Sequence, residues 1–108
     1  MSFSATEIQL PLARNVVLSD EALTVELSDG RSLSVPFGWY PRLWHATPDE
    51  RNRWRLIENG RGIHWTDLDE DISVEGLLLG RASGESPESL RKWLQARSHV
   101  KGPETDRE

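Results

Sequence analysis

Apolar and polar positions alternate strictly in two early stretches of the chain. Leu23, Val25 and Leu27 interleave with Thr24, Glu26 and Ser28, and Leu33, Val35 and Phe37 interleave with Ser34 and Pro36. A period of two marks a strand with one buried face, so two strands flank Asp29-Gly30. A two-residue Asp-Gly loop would pair Leu33 with Glu26 and mix apolar and charged side chains on one face. A three-residue loop, Ser28-Asp29-Gly30, pairs Val25 with Leu33 and Leu23 with Val35 and keeps the apolar face whole. The expectation is a three-residue hairpin with Gly30 left-handed, preceded by a strand over residues 16–18.

Beyond the hairpin the period changes. Gly38 is placed to cap a short helix that carries Pro41 in its first turn, with Tyr40, Leu43 and Trp44 on one face. Thr47-Pro48-Asp49-Glu50 has capping-box residues at the correct offsets and predicts a second short helix ending near Trp54. Leu56 and Ile57 make a short strand and Glu58-Asn59-Gly60 a turn. Ile63 and Trp65 share one face of the next strand, with His64 opposite. Ser73 caps a helix through Val74, Leu77 and Leu78 that Gly80 closes. Residues 81–85 read as a polar linker, and Ser86-Pro87 opens a last helix with Leu90, Trp93, Leu94 and Arg97 on adjacent turns.

These elements predict an α+β fold: a small antiparallel meander-like sheet with short helices on one face and a C-terminal amphipathic helix. The expected organisation is an N-terminal arm over residues 1–12, one α+β domain over 13–80, a linker and C-terminal helix over 81–97, and a disordered tail over 98–108.

Composition narrows the function classes. The chain has 108 residues and a net charge of −5, from 18 acidic and 13 basic side chains, so its overall field repels a nucleic-acid backbone. It holds no cysteine, hence no disulfide framework and no thiolate for catalysis or zinc. No apolar run has membrane length and nothing resembles a signal peptide, which makes the cytoplasm the expected location. Five tryptophans are a large share for so short a chain and are read as core filling before ligand stacking.

The stretch GRGIHWTDLDEDIS carries the most distinctive chemistry. Asp67, Asp69, Glu70 and Asp71 have the spacing of a calcium loop, but its sixth position is Ile72 rather than glycine and its twelfth is Leu78 rather than glutamate, which excludes an EF-hand. Negative charge just before the helix opened by Ser73 would meet the positive end of its dipole. That accounts for one or two carboxylates, and the remainder suit a solvated face or a docking surface for a basic partner. His64 lies three residues before Asp67, a pairing suited to a general base, yet no serine or cysteine elbow and no phosphate-binding glycine loop accompanies it. Arg51, Arg53, Arg55 and Arg61, with Trp54 among them, are what a nucleic-acid surface would use; the acidic charge balance favours their pairing with the acidic run instead.

The blocks DGR with the following VPF, ATPDERNRW, and GIHWTDLDEDISVEGLL resemble a widespread family of small bacterial proteins of unknown function, the DUF2442 type, over about residues 16–81. The resemblance implies a compact α+β fold with a meander-like sheet and short helices. It also implies relatives that carry an additional helix-turn-helix domain, and relatives encoded beside another small protein in a toxin–antitoxin-like arrangement. Only 28 residues follow Gly80, too few for a helix-turn-helix domain, so DNA binding is not carried over.

The expected function is a non-enzymatic, antitoxin-like module that docks an unidentified protein partner or assembles with itself. Its binding surface would comprise Asp67, Asp69, Glu70, Asp71, Trp39, Tyr40, His64 and Trp65, with no catalytic residue, metal or cofactor. The alternatives are a regulator contacting nucleic acid through Arg51, Arg53, Arg55 and Arg61, and a metal-assisted enzyme built on the acidic run and His64.

Overall fold

The computed structural model describes the backbone of residues 10–105 and the side chains of residues 10–97. Its described strands form two antiparallel sheets of three, each ordered as in the chain. The first contains β1 (Ala13–Leu18), β2 (Ala22–Leu27) and β3 (Ser32–Pro36). The second contains β4 (Trp54–Ile57), β5 (Gly62–Trp65) and β6 (Glu70–Ser73). Between them run α1 (Pro41–Trp44) and α2 (Pro48–Arg51), and α3 (Val74–Leu78) and α4 (Pro87–Thr105) follow. The α+β class and the C-terminal helix are as the periodicity predicts, while the strands divide into two sheets rather than one meander. One hydrophobic cluster serves both, with Leu23, Val25, Phe37, Leu43, Ile63 and Trp65 fully buried in it.

The first hairpin has the predicted register: Leu23 faces Val35 and Val25 faces Leu33. Gly30 has a φ of 95°, which glycine adopts without a Cβ penalty. Leu27 N–H donates to the Arg31 carbonyl at 2.8 Å, closing a loop of three residues. The end of the N-terminal arm orders against this loop, because Leu12 N–H donates to Ser28 Oγ at 2.9 Å and the Leu12 carbonyl accepts from Ser28 N–H at 2.7 Å. Residues 1–9 of the expected arm and 106–108 of the expected tail lie outside the described residues. The last helix runs on to Thr105, through most of the segment expected to be a disordered tail.

Short-range signals after the hairpin hold in part. Thr47 and Glu50 form the predicted capping box, each side chain accepting from the other's backbone N–H at 3.1 and 2.9 Å, worth about 1 kcal/mol. Ser73 Oγ accepts from Gly76 N–H at 2.9 Å. Gly80 (φ 74°) ends α3, with Arg81 N–H donating to the Gly76 carbonyl and Gly80 N–H to that of Leu77, a Schellman motif. Gly38 is not the N-cap of α1; it sits inside a 3-10 turn, Phe37–Trp39, and Tyr40 takes the cap with Pro41 first in the helix. That helix is only one turn long, so Tyr40 and Leu43 are buried while Trp44 is left 57% exposed. The helix after it stops at Arg51, short of Trp54, which joins β4 opposite Trp65.

The largest departure is β6. Residues 70–73 lead into α3 as the sequence predicts, but they do so as a strand paired with β5, which the sequence does not signal. Aspartate and glutamate are poor strand formers, and one apolar residue, Ile72, gives no readable alternation. The neighbouring strand supplies what propensity does not, by offering a ladder of backbone partners.

Glu58, Asn59 and Gly60, the turn between β4 and β5, all have positive φ, of 53°, 59° and 95°. Gly60 also packs against the start of β1: a Cβ there would lie 2.7 Å from the Ala13 carbonyl oxygen. Gly60→Ala combines a left-handed strain with a clash against backbone, and is expected to cost about 2 kcal/mol, read as a lower denaturation midpoint.

Candidate functional site

The acidic run does not act as one group. Asp67 sits in the 3-10 turn Thr66–Leu68, and its carboxylate accepts from Arg53 Nη1 at 2.7 Å. Asp69 is left-handed, φ 52°. Glu70 and Asp71 lie on β6, where alternation sends them to opposite faces. Asp71 faces His64 and shares a hydrogen bond between its Oδ1 and His64 Nδ1. Glu70 faces Trp65 on the core side. Among the described residues no three His, Asp or Glu side chains gather as a metal-holding group. The helix opened by Ser73 begins at Val74 as expected, and the carboxylates before it are placed by pairing of β6 with β5.

Two of the aromatic candidates for a binding surface are buried. Tyr40 is 4% exposed and donates its hydroxyl to the Arg81 carbonyl at 3.1 Å; Trp65 has no exposure and donates Nε1–H to the Arg51 carbonyl at 2.9 Å. Their apolar bulk fills the core, and their polar tips find partners there. Trp39 and His64 are half-buried. The arginine set is also divided. Arg51 donates to the Leu43 and Trp44 carbonyls at 2.8 and 3.0 Å and lies over the Phe37 ring. Arg53 pairs with Asp67, whereas Arg55, opposite His64 on the outer sheet face, and Arg61 are exposed.

A cluster that the sequence reading did not assemble joins α1, α2 and α4. Arg42 clasps Glu85 with Nε at 3.0 Å from both carboxylate oxygens and Nη2 at 2.7 Å from Oε2. Its Nη1 donates to the Leu68 carbonyl at 2.9 Å. Arg97 donates from Nη1 and Nη2 to the two oxygens of Glu50 at 3.0 and 3.1 Å. Both guanidinium groups lie over the Trp93 ring, 5.1 and 4.6 Å from its centre, within cation–π range. The Arg42–Glu85 pair is largely buried, with side chains 16% and 8% exposed. Glu85 had been read as linker and Glu50 only as a cap; the one sequence signal was Trp93 and Arg97 four residues apart on one helix face.

With this geometry in hand, the chain can be placed among known proteins. The family described as "Protein of unknown function (DUF2442)" matches residues 13–83. This chain belongs to the DUF2442 family. A crystal structure of a protein of unknown function from Rhodospirillum rubrum is similar, at 26% identity and a TM-score of 0.63, covering 71% of this chain and 95% of that one. The solution structure of an uncharacterised protein from Chromobacterium violaceum shares the fold at 24% identity and a TM-score of 0.60, covering 75% of this chain and 74% of that one. No curated protein matches the chain closely enough to lend it a function. The DUF2442 match takes in Arg42, Glu50 and Glu70, but stops before Glu85, Trp93 and Arg97. The cluster is therefore a seam between the family domain and α4.

An open groove follows this seam, with Arg42 and Asp69 on the domain side and Ser86, Glu88, Ser89, Lys92 and Trp93 on the helix side. Arg42 holds the Glu85 carboxyl below its usual range, and Glu85 raises the Arg42 guanidinium. Burial pushes Glu70 up to about 7; Arg42 opposes this, while Glu85, Asp71 and Asp69 reinforce it. Burial, with the Glu70 charge, raises Tyr40. Because folded Glu70 holds its proton more tightly than the unfolded chain does, its contribution to stability is full below about pH 4.5 and is lost as pH rises through about 7. Denaturation midpoints of wild type relative to Glu70→Gln are expected to fall across that window, with the variant the more stable above it.

No described helix is long and apolar enough to cross a membrane.

Proposed function

We propose that this DUF2442 protein is a non-enzymatic, cytoplasmic protein-binding module that docks a helix of its partner, antitoxin-like, on the Arg42–Glu50 side of the domain. The observation that carries this reading is that the family domain already holds a helix there. The start of α4 is fastened by two arginine–carboxylate clamps and one tryptophan, which are the side-chain types that dominate protein interfaces. Asp69, exposed and lining the groove, adds acidic charge suited to a basic helix. Arg51 donates into the domain and Arg53 pairs with Asp67 at its surface, which with the net charge of −5 weighs against a nucleic-acid surface. The row Arg55, His64 and Asp71 across the second sheet supports a cross-strand structural role for the histidine.

Affinity capture from the host at low salt tests the reading, with three tagged full-length baits: wild type, Arg97→Glu and Arg42→Ala. Arg97→Glu releases α4 from Glu50 and is expected to retain a foreign protein in stoichiometric amount. Arg42→Ala, folded by circular dichroism, is expected to lose it. Equal retention by both variants would overturn the assignment to this groove.

A further inference from the structure

The helix α4 is attached to the domain in an unusual way for a terminal helix. Backbone approach between it and the other elements is sparse, and Leu90 and Leu94, half-buried at best, stay outside the hydrophobic cluster that Trp93 touches. What fastens it is a set of long side chains: Arg42 to Glu85, Arg97 to Glu50, and both arginines to Trp93. The three contributing side chains on the helix side, Glu85, Trp93 and Arg97, lie within 13 consecutive residues. Both partner groups, Arg42 and Glu50, lie in the family domain, whose match ends at residue 83. Gly84 stands at the junction, and a Cβ there would meet open space.

We infer that the same seat accepts α4 from a second copy of the chain, so that two molecules pair by exchanging this helix. This rests on the reading of the seam as a helix-docking site and adds to it an occupant that the chain itself supplies. The chemistry of the seat is satisfied by a helix with a carboxylate ahead of its first turn, then an aromatic ring, then an arginine four residues on. The chain itself supplies such a helix, and an element exchanged between identical copies makes the same contacts in the pair as in the single molecule. Charge acts the same way. Residues 87–97 hold three basic side chains and one acidic, a net of +2, while the family domain, residues 13–83, holds eight basic and twelve acidic, a net of −4. Each basic helix is thus drawn to the acidic domain of either copy. The tether gives a molecule's own helix a high effective concentration, so exchange emerges when the internal clasp is weakened.

Complementary charge reversals separate the two arrangements in full-length protein. In Arg97→Glu alone the helix presents an acid to Glu50, and in Glu50→Arg alone the domain presents a base to Arg97; the internal clasp repels in both. In a mixture, each helix meets an opposite charge only on the other chain. Sedimentation velocity is expected to show monomers for each variant and a 1:1 dimer of twice the mass in the mixture, at concentrations where wild type stays monomeric. Glu50 also caps α2, so the complementary pair Arg42→Glu and Glu85→Arg, which reverses the other clamp in the same way, replaces the first pair should Glu50→Arg not fold. A mixture of two folded variants that remains monomeric overturns helix exchange. Retention of a foreign helix in the capture experiment would survive that result, so the two readings fail separately.

Discussion

Trp65→Ala is expected to remove about 4 kcal/mol of unfolding free energy, the range found when a large buried aromatic is deleted from a core. Trp65 has no exposed surface and lies on the middle strand of the second sheet, opposite Trp54 on one side and Glu70 on the other. Alanine would leave a cavity there. It would also strip the Arg51 carbonyl of the Nε1–H donor now 2.9 Å away, and a partly buried acceptor without a donor adds a smaller cost of its own. Trp65→Phe keeps most of the packing and loses only the donor, so about 1–2 kcal/mol is expected. Against the roughly 5–15 kcal/mol of a typical domain, the alanine variant forfeits a large part of the total. Urea unfolding reads both values from the midpoint at unchanged slope. A loss below about 1 kcal/mol for the alanine variant would contradict the buried position of this ring.

Arg42→Ala carries the second large effect, and its locus differs. Removing the guanidinium leaves Glu85, 8% exposed, as an unpaired carboxylate and withdraws the cation over Trp93. Breaking one side of a largely buried pair costs about 3 kcal/mol, since the remaining charge keeps its desolvation penalty. Because α4 is fastened by side chains at its start, the loss is expected to free the helix rather than unfold the sheets. Hydrogen exchange is the suitable measurement: amides of residues 87–97 should lose protection while those of β2 and β5 keep theirs. Arg42→Met combined with Glu85→Leu is expected to be milder than Arg42→Ala alone, because neither charge is stranded. Uniform loss of protection across both sheets would instead make the Arg42–Glu85 pair part of the core's own stability.

Much of the local structure was legible beforehand. Period two and the requirement for one apolar face determined the register of the first hairpin, down to Val25 against Leu33. The Thr47 box, the Ser73 cap and the Gly80 stop are set by residues within a few positions of one another, and each is present. The family resemblance was also carried by contiguous blocks, and the DUF2442 match bears it out.

What the sequence left open depended on where distant backbone lies. Four carboxylates in five residues look like one feature in a string, yet a strand sends Glu70 inward and Asp71 outward, and only pairing with β5 makes that segment a strand. Tyr40 and Trp65 share faces with Leu43 and Ile63 in the sequence pattern yet also stood as binding-surface candidates, and only the closed core excludes the second role. The clamps that hold α4 join residues 43 and 47 positions apart, and an ion pair over such a separation leaves no periodic trace, because either partner alone is an ordinary charged residue. The sequence by itself therefore determined the register of the first hairpin and the caps at Thr47, Ser73 and Gly80, through interactions within a turn or a hairpin. Tertiary structure alone decided which charges face inward and how the last helix is seated, because burial and long-range pairing exist only once the two sheets have been brought together.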